Sequence, residues 1–252
     1  MSEGIPYLEL KDGLRFYGLR PSQKDKKYYK LASSKVKKIL PFEHYKVALD
    51  ILIRFIEGGL KMGGPGKEMF YKVKPGDIVA EMGSYMGYYT MYLASKVGKK
   101  GRVIAIEPMP DNLSYLKKNI EYNGLTNVTI VEKGVWNKNE MQTFYQVGHD
   151  TQSASLILDG EEKKKFQIEV NSLDTILENC KADYVDLMLI QLNGIEPEAL
   201  EGLQKLKPQH LAVAARYKSG EDKPVPRISK ILAQRGYESR VIKEDYIYAS
   251  LK

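Results

Sequence analysis

The sequence predicts an α/β fold: an open, largely parallel sheet with helices on both faces, holding a nucleotide-like ligand at its carboxyl edge. Three observations predict it. Ile78, Val79 and Ala80 form a short apolar run suited to a buried parallel strand, and Gly83 and Gly87 follow at once. Tyr89, Leu93 and Val97 then recur four apart, the rhythm of a helix with one buried face. Arg102 to Ile106 reads as a second strand with Glu107 at its carboxyl end, the place where open α/β sheets bind nucleotides.

The remaining elements follow in order. Tyr7 to Leu10 and Leu14 to Tyr17 flank Lys11-Asp12-Gly13 and predict a small hairpin. Lysines crowd the stretch from Lys24 to Lys38, interleaved with Tyr28, Tyr29 and Leu31; this pattern suits a solvated helix face or a polyanion contact. Val47, Leu49, Ile51, Leu52, Phe55 and Ile56 make His44 to Leu60 an amphipathic helix. Gly63-Gly64-Pro65-Gly66 is the strongest breaker cluster in the chain. The boundary is placed there: residues 1–66 as a mainly helical extension packed on the main domain, residues 67–252 as the ligand-binding domain.

Asp111 to Asn123 is predicted as a helix closed by Gly124, and Asn127 to Val131 as a third strand. Met141 to Val147 and Phe166 to Val170 are two further short strands around a polar loop. Ser172 to Leu177 begins a short helix, Val185 to Leu192 is an apolar strand, and Glu196 to Leu206 is a helix with Pro197 near its start. Leu211 to Ala215, a helix from Ile228 to Gln234, and strands Ser239 to Ile242 and Tyr246 to Leu251 complete the chain.

Composition sets the outer bounds. The 252 residues are 43% hydrophobic and 28% charged, as in ordinary globular proteins. No apolar run nears the roughly 18 residues of a membrane span, and the N-terminus lacks the pattern of a signal peptide. One cysteine, Cys180, leaves no internal disulfide framework, and three scattered histidines give no metal-ligand spacing. A cytoplasmic location and no metal are expected. The net charge of +7 admits a polyanionic partner without favouring nucleic acid.

The glycines narrow the ligand. A dinucleotide requires G-x-G-x-x-G so that backbone amides reach a pyrophosphate. Here Glu81-Met82-Gly83-Ser84-Tyr85-Met86-Gly87 carries two glycines four apart. S-adenosylmethionine has no pyrophosphate, and an acid such as Glu81 suits its ammonium. Glu107 can accept both ribose hydroxyls.

The order of several blocks carries a more specific resemblance. VKPGDIVAEMGSYMGYYT is followed by VIAIEPMPDNLSYLKKNIEYNGLTNVTIVEKGVW, TQSASL, VNSLDTIL and VDLMLIQLNGIEPEALEGL. Over about residues 70 to 250 the chain resembles the FkbM family of class I S-adenosylmethionine-dependent methyltransferases. The resemblance implies a Rossmann-like sheet of seven strands, the last antiparallel, and methyl transfer to an oxygen of a small molecule or saccharide. It places cofactor contacts on Glu81, Gly83, Ser84, Tyr85, Gly87, Glu107 and Pro108, with Gly134 and Val135 near the adenine.

One block departs from the family. Its fourth core strand usually ends in K-I-D-x-E-G, whereas this chain has Leu189, Gln191 and Asn193 before Gly194, with Glu196 the acid that remains. Gln and Asn orient partners by hydrogen bonds but take no proton near neutral pH. The catalytic candidates are therefore Gln191, Asn193, Glu196 and His149, with Asp150 beside the last. Three readings stay open: an enzyme that works by positioning, one with another base, or a silent S-adenosylmethionine-binding module. An RNA methyltransferase is a further alternative. Trp136 suits either the core or the adenine, and Arg216, Tyr217 and Lys218 either a solvated loop or an acidic substrate.

Overall fold

The computed structural model describes residues 7–10, 15–17, 36–39, 68–147, 163–215, 224–243 and 245–252. Near the N-terminus, β1 (Tyr7–Leu10), β2 (Arg15–Tyr17) and β3 (Val36–Ile39) form an antiparallel sheet in the order β2-β1-β3. The β1–β2 pair, with Tyr7 opposite Tyr17, is the predicted hairpin. Lys37 and Lys38 lie on β3, so this end of the lysine-rich stretch is strand where a helix face was expected. The helix expected over His44 to Leu60 lies outside the described residues. What is described of the extension is therefore sheet.

The main domain alternates strand and helix. β4 (Ile78–Met82) leads to α1 (Tyr88–Val97), β5 (Arg102–Ile106), α2 (Pro110–Tyr122) and β6 (Val128–Val131). A second sheet is inserted next, made of β7 (Gly134–Trp136), β8 (Glu140–Val147) and β9 (Lys163–Ser172) in the order β7-β9-β8. The chain then returns through α3 (Leu173–Asn179), β10 (Leu187–Ile190), α4 (Glu196–Glu201), β11 (His210–Ala214), α5 (Pro224–Gln234), β12 (Tyr237–Ile242) and β13 (Tyr246–Leu251). The main sheet has seven strands in the order β12-β13-β11-β10-β4-β5-β6. Only β13 runs against its neighbours, antiparallel to both β11 and β12. This is the predicted Rossmann-like sheet.

Strand alternation divides the core in two. Val79, Val103, Leu187 and Leu189 pack with Leu93 and Val97 of α1 on one face. Ala80, Met82, Ile104, Met188 and Ile190 pack with Leu173, Leu200, Ile228 and Leu232 on the other. Both faces are covered, so the central strands read as continuous apolar runs rather than alternating ones.

Several boundaries move for identifiable reasons. α4 stops at Glu201 instead of Leu206 because Asp174 of α3 takes the amides beyond it, accepting from Gln204 N at 2.7 Å and Lys205 N at 3.1 Å. β10 is shorter than Val185 to Leu192, since the amide of Leu192 donates to Glu196 Oε1 at 2.8 Å instead of joining the ladder. Ser172 caps α3, its hydroxyl accepting from Thr175 N. α5 begins at Pro224, four residues before the predicted start.

Candidate active site

Register brings the predicted site residues to one edge. Ile190 pairs with Met82, and Met82 with Ile106, so the next residues, Gln191, Gly83 and Glu107, form a row at the carboxyl ends of β10, β4 and β5. From β4 the chain winds one way to β5 and β6; from β10 it winds the other way to β11. Strand order reverses between β4 and β10, the position where open α/β sheets leave a crevice for a ligand.

The turn after β4 is fixed by its own backbone. Gly83 (φ 81°) and Gly87 (φ 83°) are left-handed, and a Cβ on Gly87 would lie 2.4 Å from Leu116 Cδ1. Tyr85 joins them at φ 53°, unusual for a bulky residue. The amides of Gly83 and Ser84 both donate to Ile106 O at 3.0 Å, that of Tyr85 to Glu107 Oε2 at 2.9 Å, and that of Gly87 to Ser84 O at 2.9 Å. Four of the five amides from Gly83 to Gly87 are thus engaged within the protein. A loop that cradles a pyrophosphate needs those donors directed at the ligand.

The two acids serve different neighbours. Glu81 is 1% exposed on the α1 face of β4, where its Oε2 accepts from Thr90 Oγ1 at 2.6 Å. Glu107 is 4% exposed. Its Oε1 accepts from Met109 N at 3.0 Å and Asn112 Nδ2 at 2.9 Å, and its Oε2 accepts from Tyr85 N. Burial pushes the Glu107 carboxyl up to about 7, while these three donors pull the other way.

The turn after β10 carries the altered residues. Gln191 and Asn193 are half-buried at the sheet's edge. Asn193 (φ 57°) and Gly194 (φ 109°) reverse the chain in consecutive left-handed conformations. Glu196 is wholly buried beneath them, accepting from Leu192 N at 2.8 Å on Oε1 and from Gly194 N at 3.0 Å on Oε2. Burial raises this carboxyl also to about 7. Its two oxygens clip the turn from inside.

A family model described as the methyltransferase FkbM domain matches residues 77–239, well over half of the chain. The chain belongs to the FkbM methyltransferase family. Among solved structures, the FkbM methyltransferase of Methylobacillus flagellatus aligns with a TM-score of 0.51 at 17% identity, covering 88% of this chain and 57% of that one. A SAM-dependent methyltransferase from Aquifex aeolicus aligns at 0.40 and 17% identity, covering 72% and 85%. Two curated relatives, protein-L-isoaspartate O-methyltransferases of Methanococcus aeolicus and Methanococcoides burtonii, are 37% and 33% identical over 59 and 60 residues. Those matches cover 23% and 24% of this chain and only 27% and 30% of the relatives' own length. Family and fold are those of S-adenosylmethionine-dependent methyltransferases.

The other predicted residues of this FkbM chain are placed as follows. Ser84 is buried, its hydroxyl donating to Glu81 O at 3.1 Å. Pro108 is half-buried beside Glu107. Gly134 and Val135 are buried in β7, where Val135 joins the main core. Trp136 packs in a separate cluster with Met109, Phe144, Ile168 and Val170. His149, Asp150 and Arg216 to Lys218 lie outside the described residues.

Three polar residues that pattern reading passed over hold this edge together. Thr90 binds Glu81, Asn112 binds Glu107, and Asn119 donates to Met86 O at 2.7 Å, pinning the glycine turn to α2. All three are buried, at 0%, 2% and 0% exposure. Asn112 and Asn119 are seven apart, two helical turns, and share the inward side of α2 with Leu113, Leu116 and Ile120. A polar residue repeated along an apolar stripe is the signal that could have found them.

Proposed function

We propose that the protein transfers a methyl group from S-adenosylmethionine to an oxygen of a small-molecule or saccharide acceptor. The observation that carries the donor assignment is the disposition of the Gly83–Gly87 turn beside Glu107. Its amides are engaged within the protein, which suits a nucleoside without a pyrophosphate, and an acid stands where a ribose is bound in this fold. When bound, the donor supplies an electrophilic methyl group on a sulfonium.

The chain's own residues then have separate tasks. Glu107 accepts from the ribose; Gly83, Ser84, Tyr85 and Gly87 shape the floor, and Pro108, Gly134 and Val135 neighbour the base. Glu81 adds negative charge beneath the turn. Gln191 and Asn193 orient the acceptor by hydrogen bonds, and the reaction draws on proximity rather than on a base at this strand end. Glu196 shapes the turn that presents them. Methyl transfer to a hydroxyl releases its proton, and His149 and Asp150 are the candidate bases that take it, with water as the alternative acceptor. The domain boundary near residue 66 and a cytoplasmic setting belong to the same reading; no helix among the described residues is long and apolar enough to cross a membrane.

A second reading, a protein that binds the donor without turnover, is favoured by one observation: both oxygens of Glu196 are already bonded to backbone amides. Calorimetry with S-adenosylmethionine, S-adenosylhomocysteine and NAD, on wild type and Glu107→Ala, tests the donor. Both adenosyl ligands bind wild type and weaken at least tenfold in the variant, the scale of a lost charged hydrogen bond. Binding of NAD alone defeats the assignment. Labelled-methyl transfer to hydroxylated small molecules, saccharides and RNA then separates the readings, with donor binding and no transfer marking the silent one.

A further inference from the structure

We propose that the N-terminal sheet is a positioning element for the Gly83–Gly87 turn, acting through Asn123 and Asn119 of α2. Docked on α2, it holds the turn in the conformation that takes the donor. The consequence for the donor rests on the assignment above; the coupling of sheet to turn stands apart from it.

β2 is an edge strand in the order β2-β1-β3, so alternate residues along it point their N–H and C=O away from β1. At Arg15 both groups meet the same side chain. Arg15 N donates to Asn123 Oδ1 at 2.6 Å, and Asn123 Nδ2 donates to Arg15 O at 2.6 Å. One carboxamide thus pairs with β2 as a neighbouring strand would, across 108 residues of sequence.

Asn123 is also the C-terminal boundary of α2. Its Nδ2 donates to Asn119 O at 2.7 Å, with Met91 Sδ of α1 beside them at 3.2 Å. Asn119 O is one of the terminal carbonyls that an α-helix leaves without a partner of its own. The same side chain therefore closes α2 and holds β2.

Asn119 lies one helical turn back, is wholly buried, and donates from Nδ2 to Met86 O at 2.7 Å. The Met86–Gly87 peptide is then held at both ends, because Gly87 N donates to Ser84 O at 2.9 Å. Rotation of that peptide plane would change the φ of Gly87, now 83°, where α1 begins. Without Arg15 the last turn of α2 is closed less firmly, and that turn carries Asn119. Loosening at β2 is thereby passed to the floor of the site.

The test is Arg15→Pro, which deletes the amide hydrogen at β2 and changes nothing in α2 or the turn. Proline is tolerated on an edge strand where the N–H would face outward. Should the variant unravel the N-terminal sheet instead, the dock is lost all the same and the expectation stands. Hydrogen exchange over residues 83–91 quickens about fivefold in Arg15→Pro, the scale of one hydrogen bond, while β5 keeps its rate. Asn123→Ala quickens the same residues, and the double variant is no faster than Asn123→Ala, since one link cannot be lost twice. Unchanged exchange over 83–91 in Arg15→Pro overturns the proposal and leaves Asn123 a cap of α2. Equal quickening of β5 overturns it as well, because the effect is then general. Calorimetry with S-adenosylhomocysteine shows about the same fivefold weakening in Arg15→Pro, and undiminished binding overturns the positioning role. Failure of wild type to bind S-adenosylhomocysteine removes the donor assignment, while exchange still decides the coupling.

Discussion

The main-chain oxygen of Gln191 occupies the space where Gly83 would carry a side chain: a Cβ built on Gly83 lies 2.2 Å from it. The Gly83–Gly87 turn and the β10 turn therefore meet backbone against backbone. The contact is reinforced next to it, where Gln191 N donates to Met82 O at 3.2 Å. Gly83 is thus required both by its φ of 81° and by its neighbour.

Gly83→Ala combines these two penalties. The left-handed conformation costs about 1–2 kcal/mol in a residue with a Cβ, and displacing a backbone oxygen adds overpacking of about 1–3 kcal/mol. A loss of about 2–5 kcal/mol in chemical denaturation is expected, with donor binding reduced in step. A loss under about half a kcal/mol would show that the two turns separate freely.

Glu196→Gln tests the clip. An amide side chain has one oxygen to accept from Leu192 N or Gly194 N, and its NH2 must face the other donor. The expected cost is about 1–3 kcal/mol from one buried bond left unmade. Glu196→Ala loses both bonds and costs more. If the carboxyl also took a proton from the acceptor, Glu196→Gln would lose methyl transfer far beyond what its loss of stability accounts for.

Stability also depends on pH with a fixed sign. Glu107 and Glu196 hold their protons to about pH 7 in the fold, against 4.5 ordinarily. Between those values the folded chain binds more protons than the unfolded one, so these groups make stability fall as pH rises. Their penalty is absent below about 4.5 and complete above about 7, at most roughly 3 kcal/mol per group. Denaturation measured from pH 4.5 to 7.5 should show this decline, and a Glu107→Gln, Glu196→Gln double variant should flatten it. A double variant with an unchanged slope would assign the decline to other groups.

Thr90→Val keeps the shape of the side chain and removes the hydroxyl that reaches Glu81 at 2.6 Å. Glu81 is buried, so a charge-assisted bond is lost at a cost of about 1.5–3 kcal/mol. Thr90→Ser, which keeps the donor, should recover most of that. Equal losses for Val and Ser would attribute the effect to packing of the methyl group.

The seven-strand sheet was legible because its strands are apolar runs bounded by glycines and acids, as at Ile78 to Gly83 and Arg102 to Glu107. The edge proposed for the donor was legible for the same reason: consecutive residues carry it. Less could be read where side chains override local pattern. Asp174 ends α4 from another helix, and Glu196 draws Leu192 off its strand. Thr90, Asn112 and Asn119 escaped because each looks like a helix-surface residue until the partner behind it is known. In the inserted β7-β9-β8 sheet, β8 and β9 were visible as strands, but β7 and the pairing order were not, because they depend on partners distant in sequence.

Glu107 gathers its three donors from sequence separations of 22, 2 and 5 residues. Together with Thr90 and Asn119, the whole of that cradle lies within residues 81–119. Such short-range contacts close with little loop entropy. The opposite wall, from Gln191 to Glu196, enters only after the inserted sheet has been traversed. The first wall is thus one continuous piece of chain, whereas the second reaches it from beyond the inserted sheet and is held to it where Gln191 meets Gly83.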